Sequence, residues 1–398
     1  MARFLMVAYT TYLHDARVHR HAEALAERGH EIDVIVIAAG EPVELNGVNL
    51  VGIDVPRYRG ASHSSYLKVY GRFFGRAASL AIGRSRKRPY DGVIICTMPD
   101  AAVLCAVPLR IFGSRILLDI HDTMPELYLD KFGDERGAFG ARLLMKGERL
   151  CAGLADQVLA VHEPHRQRLI AVGIPDKKIT VVANGPDFRI FGAERALPAP
   201  GAKFKLVCHG TVAHRLGLDL VVRAIALLRD RLPELEMLVI GDGDCYDDVV
   251  ALAKELRVDD RIEFRGLVPT VELPAAFADA TVGLVPQRST HATNLMLPVK
   301  LLEYAALGIP VIASRLRTIE HYFGPREVRF FDPENIEDLA GAILEMHDNP
   351  AERLEMAARA HTAGARLSWD TQRESFYRAI DALIQKGELT SWSLQRPH

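Results

Sequence analysis

The chain has 398 residues, of which 49% are hydrophobic, and a formal net charge of −2. This length allows two globular domains, and the balanced charge argues against a protein attracted to nucleic acid by overall basicity. Five cysteines without C-x-x-C spacing, together with the lack of a signal peptide or an apolar bilayer-length stretch, predict a cytoplasmic protein. We expect it at most to lie on the inner face of the cell membrane.

The N-terminal residues have the pattern of a strand, a helix and a second strand. Residues 4–8 and 32–37 are apolar runs of strand length, and helical periodicity lies between them. His14 and Asp15 follow the first strand, at the end where α/β folds place ligand contacts. We take both as candidates for the acceptor side, although Asp15 is equally suited to be the N-cap of the helix.

Residues 56–90 contain nine lysines and arginines and no acidic residue. Helical spacing over 64–83 puts aromatic side chains on one face, where they would pack on the sheet, and cations on another. A cation near an anionic bilayer contributes about 1 kcal/mol, so several together would hold the protein there reversibly. The simpler alternative is that these cations are only solvated. The candidate membrane contacts are Lys68, Arg72, Arg76, Arg84, Arg86, Lys87 and Arg88.

The next elements lead to a histidine at the end of a strand. We predict a strand at 92–96, a helix at 101–112 and a strand at 116–120, directly followed by His121. A histidine in this position can donate or accept a hydrogen bond at neutral pH, which suits a sugar hydroxyl. It could equally be a loop residue satisfied by Asp122 or by a backbone carbonyl.

A domain boundary is predicted near the Asn184-Gly185-Pro186 turn. A linker rich in proline, alanine and glycine follows at 196–202, and a second alternating α/β pattern begins at Phe204. The expected division is an N-terminal domain at 1–187, a linker at 188–203, a C-terminal domain at 204–366, and a C-terminal helix at 367–398 that returns to the first domain.

The second pattern contains two glycine turns after strands, at Gly210 and at Gly241. Neither turn completes the G-x-G-x-x-G spacing, which argues against NAD. Asp242 and Asp244 form a D-x-D pair after the second of these strands. We interpret them as turn formers rather than metal ligands, and we expect no metal and no cofactor.

The segment 294–314 holds the most informative chemistry. Pro298 suits a helix start and Gly308 suits its end, while Lys300 and Glu303 share one face near the start. Free N–H groups and a lysine there would bind a diphosphate, and a carboxylate one turn later would accept from ribose hydroxyls. An ordinary solvated pair of Lys300 and Glu303 is the alternative.

The run P-x-K-x-x-E-Y-x-A-x-G-x-P-V-I-A, from Pro298 to Ala313, resembles the donor-binding segment of the family 4 retaining glycosyltransferases. The run L-D-I-H-D-x-x-P-E around His121 resembles the segment of that family whose histidine reaches the donor sugar. The resemblance implies an α/β protein with the GT-B fold, in which two Rossmann-like domains face each other across a central cleft. It also implies retention at the anomeric carbon without a metal.

The resemblance assigns roles residue by residue, with two departures. Leu295 stands where many members have a second glutamate, so backbone N–H groups of 294–297 would have to serve the sugar. Leu216 stands where relatives commonly have a lysine, and we transfer its diphosphate role to Arg215, although Arg215 could be an unrelated surface residue. The expected catalytic residues are His121, Arg215, Lys300 and Glu303. The expected donor-binding residues are Gly210, Thr211, Arg215, Gly241, Val268, Asn294, Leu295, Met296, Leu297, Lys300 and Glu303.

We therefore expect transfer of a sugar from a nucleoside-diphosphate sugar to an acceptor hydroxyl. A lipid-linked saccharide in cell-surface polysaccharide assembly is the acceptor we expect, since many members of the family use one. A nucleotide-sugar 2-epimerase and an inactive nucleotide-sugar-binding module are the alternatives. The sequence distinguishes neither uridine from guanosine donors nor one sugar from another.

Overall fold

The structure, a computed structural model, describes residues 1–38, 42–55, 63–192 and 203–392. The predicted linker at 196–202, Arg57, Arg59 and the side chain of His14 lie outside the described part. The chain divides into two compact units, one formed by Met1–Val182 with Arg373–His398 and the other by Ala183–Gln372. From the sequence we had placed these two boundaries at 187 and 367.

The first unit is built on an eight-stranded sheet with the order β3-β4-β2-β1-β5-β6-β7-β8. All neighbouring strands are parallel except β3 and β4. The strands are β1 (Arg3–Ala8), β2 (Glu31–Ile37), β3 (Val43–Leu45), β4 (Val48–Ile53), β5 (Gly92–Cys96), β6 (Arg115–Ile120), β7 (Gln157–Ala160) and β8 (Ile179–Val181). The central strands are buried along nearly their whole length, as expected for parallel strands covered on both faces.

Helices cover both faces of this sheet. The α-helices of the first unit are α1 (Ala16–Glu27), α2 (His63–Lys87), α3 (Met124–Phe132), α4 (Asp134–Leu154) and α5 (Glu163–Val172). Short 3-10 helices lie at Tyr12–His14, Asp100–Cys105, Val107–Phe112 and Asp176–Lys178. One hydrophobic cluster joins α2, the 3-10 segments after β5 and the end of α4 to the same face of the sheet.

The second unit has a six-stranded parallel sheet with the order β11-β10-β9-β12-β13-β14. The strands are β9 (Lys205–His209), β10 (Glu236–Ile240), β11 (Ile262–Phe264), β12 (Val282–Val285), β13 (Val311–Ser314) and β14 (Arg329–Phe331). The α-helices are α6 (Phe188–Phe191), α7 (Leu218–Leu227), α8 (Tyr246–Glu255), α9 (Leu273–Ala276), α10 (Val299–Ala306), α11 (Arg317–Tyr322), α12 (Ile336–Asp348), α13 (Pro350–Ala365) and α14 (Trp369–Trp392). From Arg373 on, α14 belongs to the first unit.

Two predicted elements differ from the structure. The predicted helix at 101–112 is instead two 3-10 helices that meet at Ala106. Pro108 lies in the first turn of the second one, and proline cannot continue an α-helix because it lacks the N–H group and its ring clashes with the preceding turn. Pro298 is the N-cap of α10 rather than its first helical residue.

The elements that were not predicted are helices α3, α4, α5, α6, α8, α9, α11 and α13 and strands β3 and β4. Within the described residues, no helix combines the length with the apolar character that crossing a bilayer requires.

Candidate functional site

Three neighbouring strands of the second unit end in tightly joined glycine turns. The N–H of Gly210, after β9, donates to Ile240 O at 2.9 Å, and the N–H of Gly241, after β10, donates to Gly266 O at 2.7 Å. Gly241 has a φ of +145°, and a Cβ there would lie 1.8 Å from Gly210 O, so only glycine fits. The turns at Gly210, Gly241 and Gly266, called the glycine floor below, expose main chain without side chains. A ligand can therefore approach the backbone closely.

Glu303 is held at the end of β9 by His209, a residue that sequence reasoning did not select. His209 Nε2 lies 2.7 Å from Glu303 Oε2, and His209 Nδ1 lies 2.9 Å from the Tyr304 hydroxyl. A neutral His209 that carries its proton on Nε2 satisfies both contacts, because the ring then donates to the carboxylate and accepts from the hydroxyl. Glu303 is only 8% exposed, so its orientation is fixed before any ligand arrives.

Lys300 and Glu303 do not form the solvated pair that was the alternative. The ammonium of Lys300, in the first turn of α10, lies 3.7 Å from Cys208 Sγ, whereas Glu303 contacts His209. A thiol is a weak acceptor, so the charge of Lys300 is not neutralised by this contact. The ammonium therefore remains available to an anion at the start of α10.

A small cavity beside Lys300 is lined by residues that end the strands of this sheet. The lining residues are Cys208, His209, Gly210, Thr211, Val212, Leu216, Leu218, Val239, Ile240 and Lys300. Three of the expected donor-binding residues, Gly210, Thr211 and Lys300, therefore line this cavity. A fourth, Gly241, lies in the adjoining turn. Leu216, which stands at the usual lysine position, is in the lining, and Arg215 is not.

Arg215 lies in a 3-10 turn, His214–Leu216, that Arg288 holds in place. The N–H of Arg288 donates to Arg215 O at 3.0 Å, and its guanidinium donates to His214 O at 2.6 Å. The same guanidinium binds both oxygens of Asp219 at 2.8 and 2.6 Å. Burial would raise the pKa of Asp219, but these bonds and the charge of Arg288 hold it below its usual value.

The guanidinium of Arg215 differs from that of Arg288 in its hydrogen bonding. Its Nε is buried and has no hydrogen-bond partner among the described residues. A buried donor without a partner costs free energy, which makes a ligand a natural partner for it. Sequence reasoning missed Arg288, because it lies in a loop without a recognisable pattern and 69 residues from Asp219.

The loop before α10 offers fewer free backbone groups than the sequence suggested. The N–H groups of Asn294, Leu295 and Met296 donate within the loop, to Thr290 O, Ala292 O and Thr293 O. The side chain of Asn294 also bonds within the second unit, to Ser289 Oγ and Thr290 O. The expectation that all of 294–297 would serve a sugar through N–H groups is therefore wrong for these three. For Leu297 this role stays a prediction.

Other predicted positions of the second unit have simpler surroundings. Thr211 is exposed directly after Gly210, and Val268 is partly buried against the hydrophobic cluster that includes residues of α10. Asp242 Oδ1 accepts from the Gly243 N–H at 2.8 Å, as a turn-forming aspartate does.

In the first unit, His121 belongs to a buried polar cluster at the end of β6. Its Nε2 lies 2.7 Å from Asp119 Oδ2, and His21 Nδ1 lies 3.3 Å from the same oxygen. Burial would raise the pKa of Asp119, but the two imidazoles hold it well below its usual range, so the carboxylate stays charged. The sequence alternatives for His121 named Asp122 or a carbonyl, whereas the structure assigns this contact to Asp119.

Asp15 is the N-cap of α1. Its Oδ1 accepts from the N–H groups of Arg17 and Val18 at 3.2 and 3.4 Å. Burial would raise the pKa of Asp15, but the charges of Arg17 and His121 and these two bonds lower it. The alternative role of Asp15, as the N-cap of the helix, is therefore observed. An acceptor contact by Asp15 stays a prediction.

Part of the basic stretch on α2 has structural partners. Arg84 lies 3.3 Å from Asp33, and Arg88 lies 2.5 Å from Glu31. The guanidinium of Arg76 donates to Asp54 O at 3.1 Å. These three cations therefore have protein partners and are not simply solvated. Lys68, Arg72, Arg86 and Lys87 are exposed and remain candidates for a surface contact.

Two family models match the chain. Residues 15–185 match the glycosyl transferase 4-like domain, and residues 193–363 match glycosyl transferases group 1. The chain belongs to the family 4 glycosyltransferases and has the GT-B fold. The family resemblance inferred from Pro298 to Ala313 and from the His121 segment is thereby confirmed.

Curated relatives match part of the chain. A Salmonella typhimurium protein provisionally named colanic acid biosynthesis glycosyltransferase WcaL is 25% identical over 58% of this chain and 56% of its own length. The GDP-mannose-dependent alpha-(1-6)-phosphatidylinositol monomannoside mannosyltransferase of Mycolicibacterium smegmatis is 29% identical over 40% of this chain and 44% of its own. The chain thus spans about half the length of these relatives.

A solved structure shows the same fold at low identity. Anabaena HepE, in complex with UDP-glucose, has a TM-score of 0.70 and 14% identity, and the match covers 96% of this chain and 100% of that chain.

Proposed function

We propose that the protein transfers a glycosyl group from a nucleoside-diphosphate sugar to an acceptor hydroxyl, with retention at the anomeric carbon. The observation that carries this proposal is the arrangement in the second unit, where a fixed carboxylate and an unneutralised lysine adjoin a glycine floor. Glu303 would accept from the ribose hydroxyls, and Lys300 with the free N–H groups of α10 would bind the diphosphate. The UDP-glucose of HepE and the GDP-mannose of the mannosyltransferase are donors of this class.

The main catalytic demand is the charge that develops on the departing diphosphate. Lys300, Arg215 and the start of α10 would stabilise this charge more strongly as the glycosidic bond breaks, which lowers the barrier. In this proposal the leaving phosphate takes the proton of the acceptor hydroxyl, so the protein needs no separate base. His121 would contact a hydroxyl of the donor sugar.

A lipid-linked saccharide is the proposed acceptor, in the assembly of a surface polysaccharide or glycolipid. The names of the two curated relatives, one for colanic acid and one for a phosphatidylinositol glycolipid, support this class. The exposed cations Lys68, Arg72, Arg86 and Lys87 on one side of α2 would hold the first unit near an anionic membrane. In this proposal the protein works at the cytoplasmic face of the membrane.

Release of nucleoside diphosphate tests the proposal. A panel of UDP- and GDP-sugars should contain one that raises the melting temperature, because a ligand of the folded state stabilises it. That donor should release its nucleoside diphosphate only when an acceptor is added, and the product should keep the anomeric configuration of the donor by NMR. Epimerised donor without an acceptor would contradict the proposal in favour of an epimerase, and binding without any turnover would indicate an inactive module.

A further inference from the structure

Helix α4 buries one face completely and leaves the opposite face in solvent. The residues of the inner face are Gly137, Ala141, Glu148 and Ala152, all buried. Close packing against α3 explains the small residues, since a Cβ at Gly140 would lie 2.5 Å from the Tyr128 ring and one at Gly137 would lie 3.3 Å from Leu129. The acid of this face, Glu148, binds Arg168.

The outer face has an apolar edge. Phe139, Leu143 and Leu150 are 79%, 62% and 71% exposed. Their separations of four and seven residues place them in one line along the helix. Single exposed apolar side chains are common, but three large ones aligned over several turns form a patch that marks an interaction surface.

A basic edge runs directly beside the apolar one. Arg142, Lys146 and Arg149 are exposed and lie on the same outer half of the helix. The exposed acids of α4, Asp134 and Glu135, are confined to its first turn. An apolar edge flanked by cations is typical of a helix that lies in the plane of a membrane surface.

The same side of the first unit continues this pattern. Ile111 and Leu104, in the 3-10 segments after β5, are 86% and 57% exposed. The segment Asp100–Cys105 contacts both α2 and α4, the segment Val107–Phe112 contacts α2, and all of them cover one face of the sheet through a single hydrophobic cluster. The outer face of α4 is therefore continuous with the side of the unit on which α2 carries its exposed cations.

We propose that α4 docks the first unit on an anionic bilayer by inserting Phe139, Leu143 and Leu150 among the lipids while Arg142, Lys146 and Arg149 bind the headgroups. This inference rests on the proposed membrane-linked acceptor and adds the surface that would meet the lipid. The basic edge favours lipid over a second copy of the chain, because two such faces would bring like charges together. The protein would then bind a lipid-linked acceptor that stays in the plane of the bilayer, and would not have to extract this lipid from the membrane.

Vesicle flotation tests the insertion. Vesicles of phosphatidylcholine with phosphatidylglycerol should bind the wild-type chain, and the Leu143→Gln/Leu150→Gln variant should bind about tenfold more weakly. The matched control is Leu227→Gln, which changes a 54% exposed leucine of α7 in the second unit and should bind like wild type. All three side chains are exposed, so the melting temperatures should agree. Equal binding by the double variant and by wild type would overturn the inference.

A fluorescent reporter gives independent evidence. Phe139→Trp should shift its emission to the blue and be quenched by brominated lipid when anionic vesicles are added, whereas Leu227→Trp should do neither. Dimerisation of the wild type that the Leu143→Gln/Leu150→Gln variant abolishes, without any vesicle binding, would overturn the inference in favour of a second copy.

A soluble acceptor separates this inference from the proposed function. The double variant should transfer sugar to a water-soluble acceptor as fast as wild type while losing transfer to a vesicle-bound one. Unchanged transfer to the vesicle-bound acceptor would overturn the docking role of α4. Failure of every chain with every acceptor would contradict the proposed function, and the flotation result would still decide the docking inference.

Discussion

The two units place polar residues at the ends of their parallel strands in different ways. In the first unit these residues gather around one carboxylate, since Asp119 Oδ2 lies 2.7 Å from His121 Nε2 and 3.3 Å from His21 Nδ1. In the second unit, Glu303 is oriented by His209, but the ammonium of Lys300 faces only a thiol and Arg215 Nε is buried without a partner in the described part of the chain. The same strand-end geometry therefore gathers a carboxylate with two imidazoles in one unit, and in the other it gathers cations without an anionic partner among the described residues.

This difference indicates which unit is prepared for an anion. Buried charges without partners are costly, so they persist mainly where a ligand supplies the missing partner. The cluster of the first unit would instead fix the orientation of His121, since its Nε2 lies 2.7 Å from Asp119 Oδ2. The following predictions test this contrast, from the largest effect to the smallest.

Removing both cations of the second unit should have the largest effect. Arg215→Ala with Lys300→Ala should lower kcat/KM by roughly 100-fold or more, because each charged hydrogen bond contributes on the order of 1.5–3 kcal/mol. The loss should be non-additive relative to the single variants if both cations act on one diphosphate. Strictly additive losses would assign them to separate groups.

A positive charge introduced at position 216 tests whether a cation is needed beside the cavity. Leu216 lines the cavity beside Lys300, so Leu216→Lys should recover part of the activity lost in Arg215→Ala. A folded Leu216→Lys/Arg215→Ala protein with no recovery would contradict the proposed shift of the cation by one position.

Glu303→Ala should raise the KM for the donor and lower turnover, together by about 10- to 100-fold in kcat/KM, since one charged hydrogen-bonding partner is worth roughly 1.5–3 kcal/mol. The matched control is Glu337→Ala, an exposed acid in the first turn of α12, which should leave the kinetics unchanged. Donor affinity that stays the same in Glu303→Ala would show that α10 has another role.

Arg288→Ala should have an intermediate effect, because it loosens the turn that carries Arg215 rather than removing a ligand. We expect a few-fold increase in the donor KM, equivalent to roughly 0.5–1.5 kcal/mol. Arg265→Ala, which breaks only the exposed contact with Glu263, is the control. In an Arg215→Ala background the Arg288→Ala effect should disappear, and an effect that persists there would argue against a role through Arg215.

The smallest expected effect is on the pH dependence of stability, and it comes from histidines of the first unit. Burial lowers the pKa of His21 and, more strongly, that of His165, so both are neutral in the folded state. Below about pH 6.5 the unfolded chain binds protons that the folded chain does not, so stability is lost as the pH falls, by up to about 1.4 kcal/mol per pH unit for each group. Melting temperatures measured between pH 7.5 and 5.5 should fall, and less steeply in His21→Asn. Equal slopes would mean that His21 does not contribute.

Every strand except β3 and β4, and also the donor helix, could be predicted from sequence, because buried parallel strands are continuous apolar runs and α10 carries a family motif. Strands β3 and β4 were missed because they are only partly buried or exposed. The pairing of His209 with Glu303 could not be predicted, because the two residues are 94 positions apart and no local pattern links them. The loop before α10 was misjudged for a related reason, since the carbonyls of Thr290, Ala292 and Thr293 accept from the N–H groups that looked free. Helix α4 was missed, because its outer face is apolar where the usual pattern expects polar residues.

Isothermal titration of UDP-glucose and GDP-mannose tests the central claim most directly. The claim is that the second unit binds a nucleoside-diphosphate sugar through Glu303 and Lys300. At least one of the two donors should bind the wild type and Glu337→Ala with the same Kd, and Glu303→Ala should bind it at least tenfold more weakly. Equal affinity of Glu303→Ala and wild type for every donor that binds would contradict the claim.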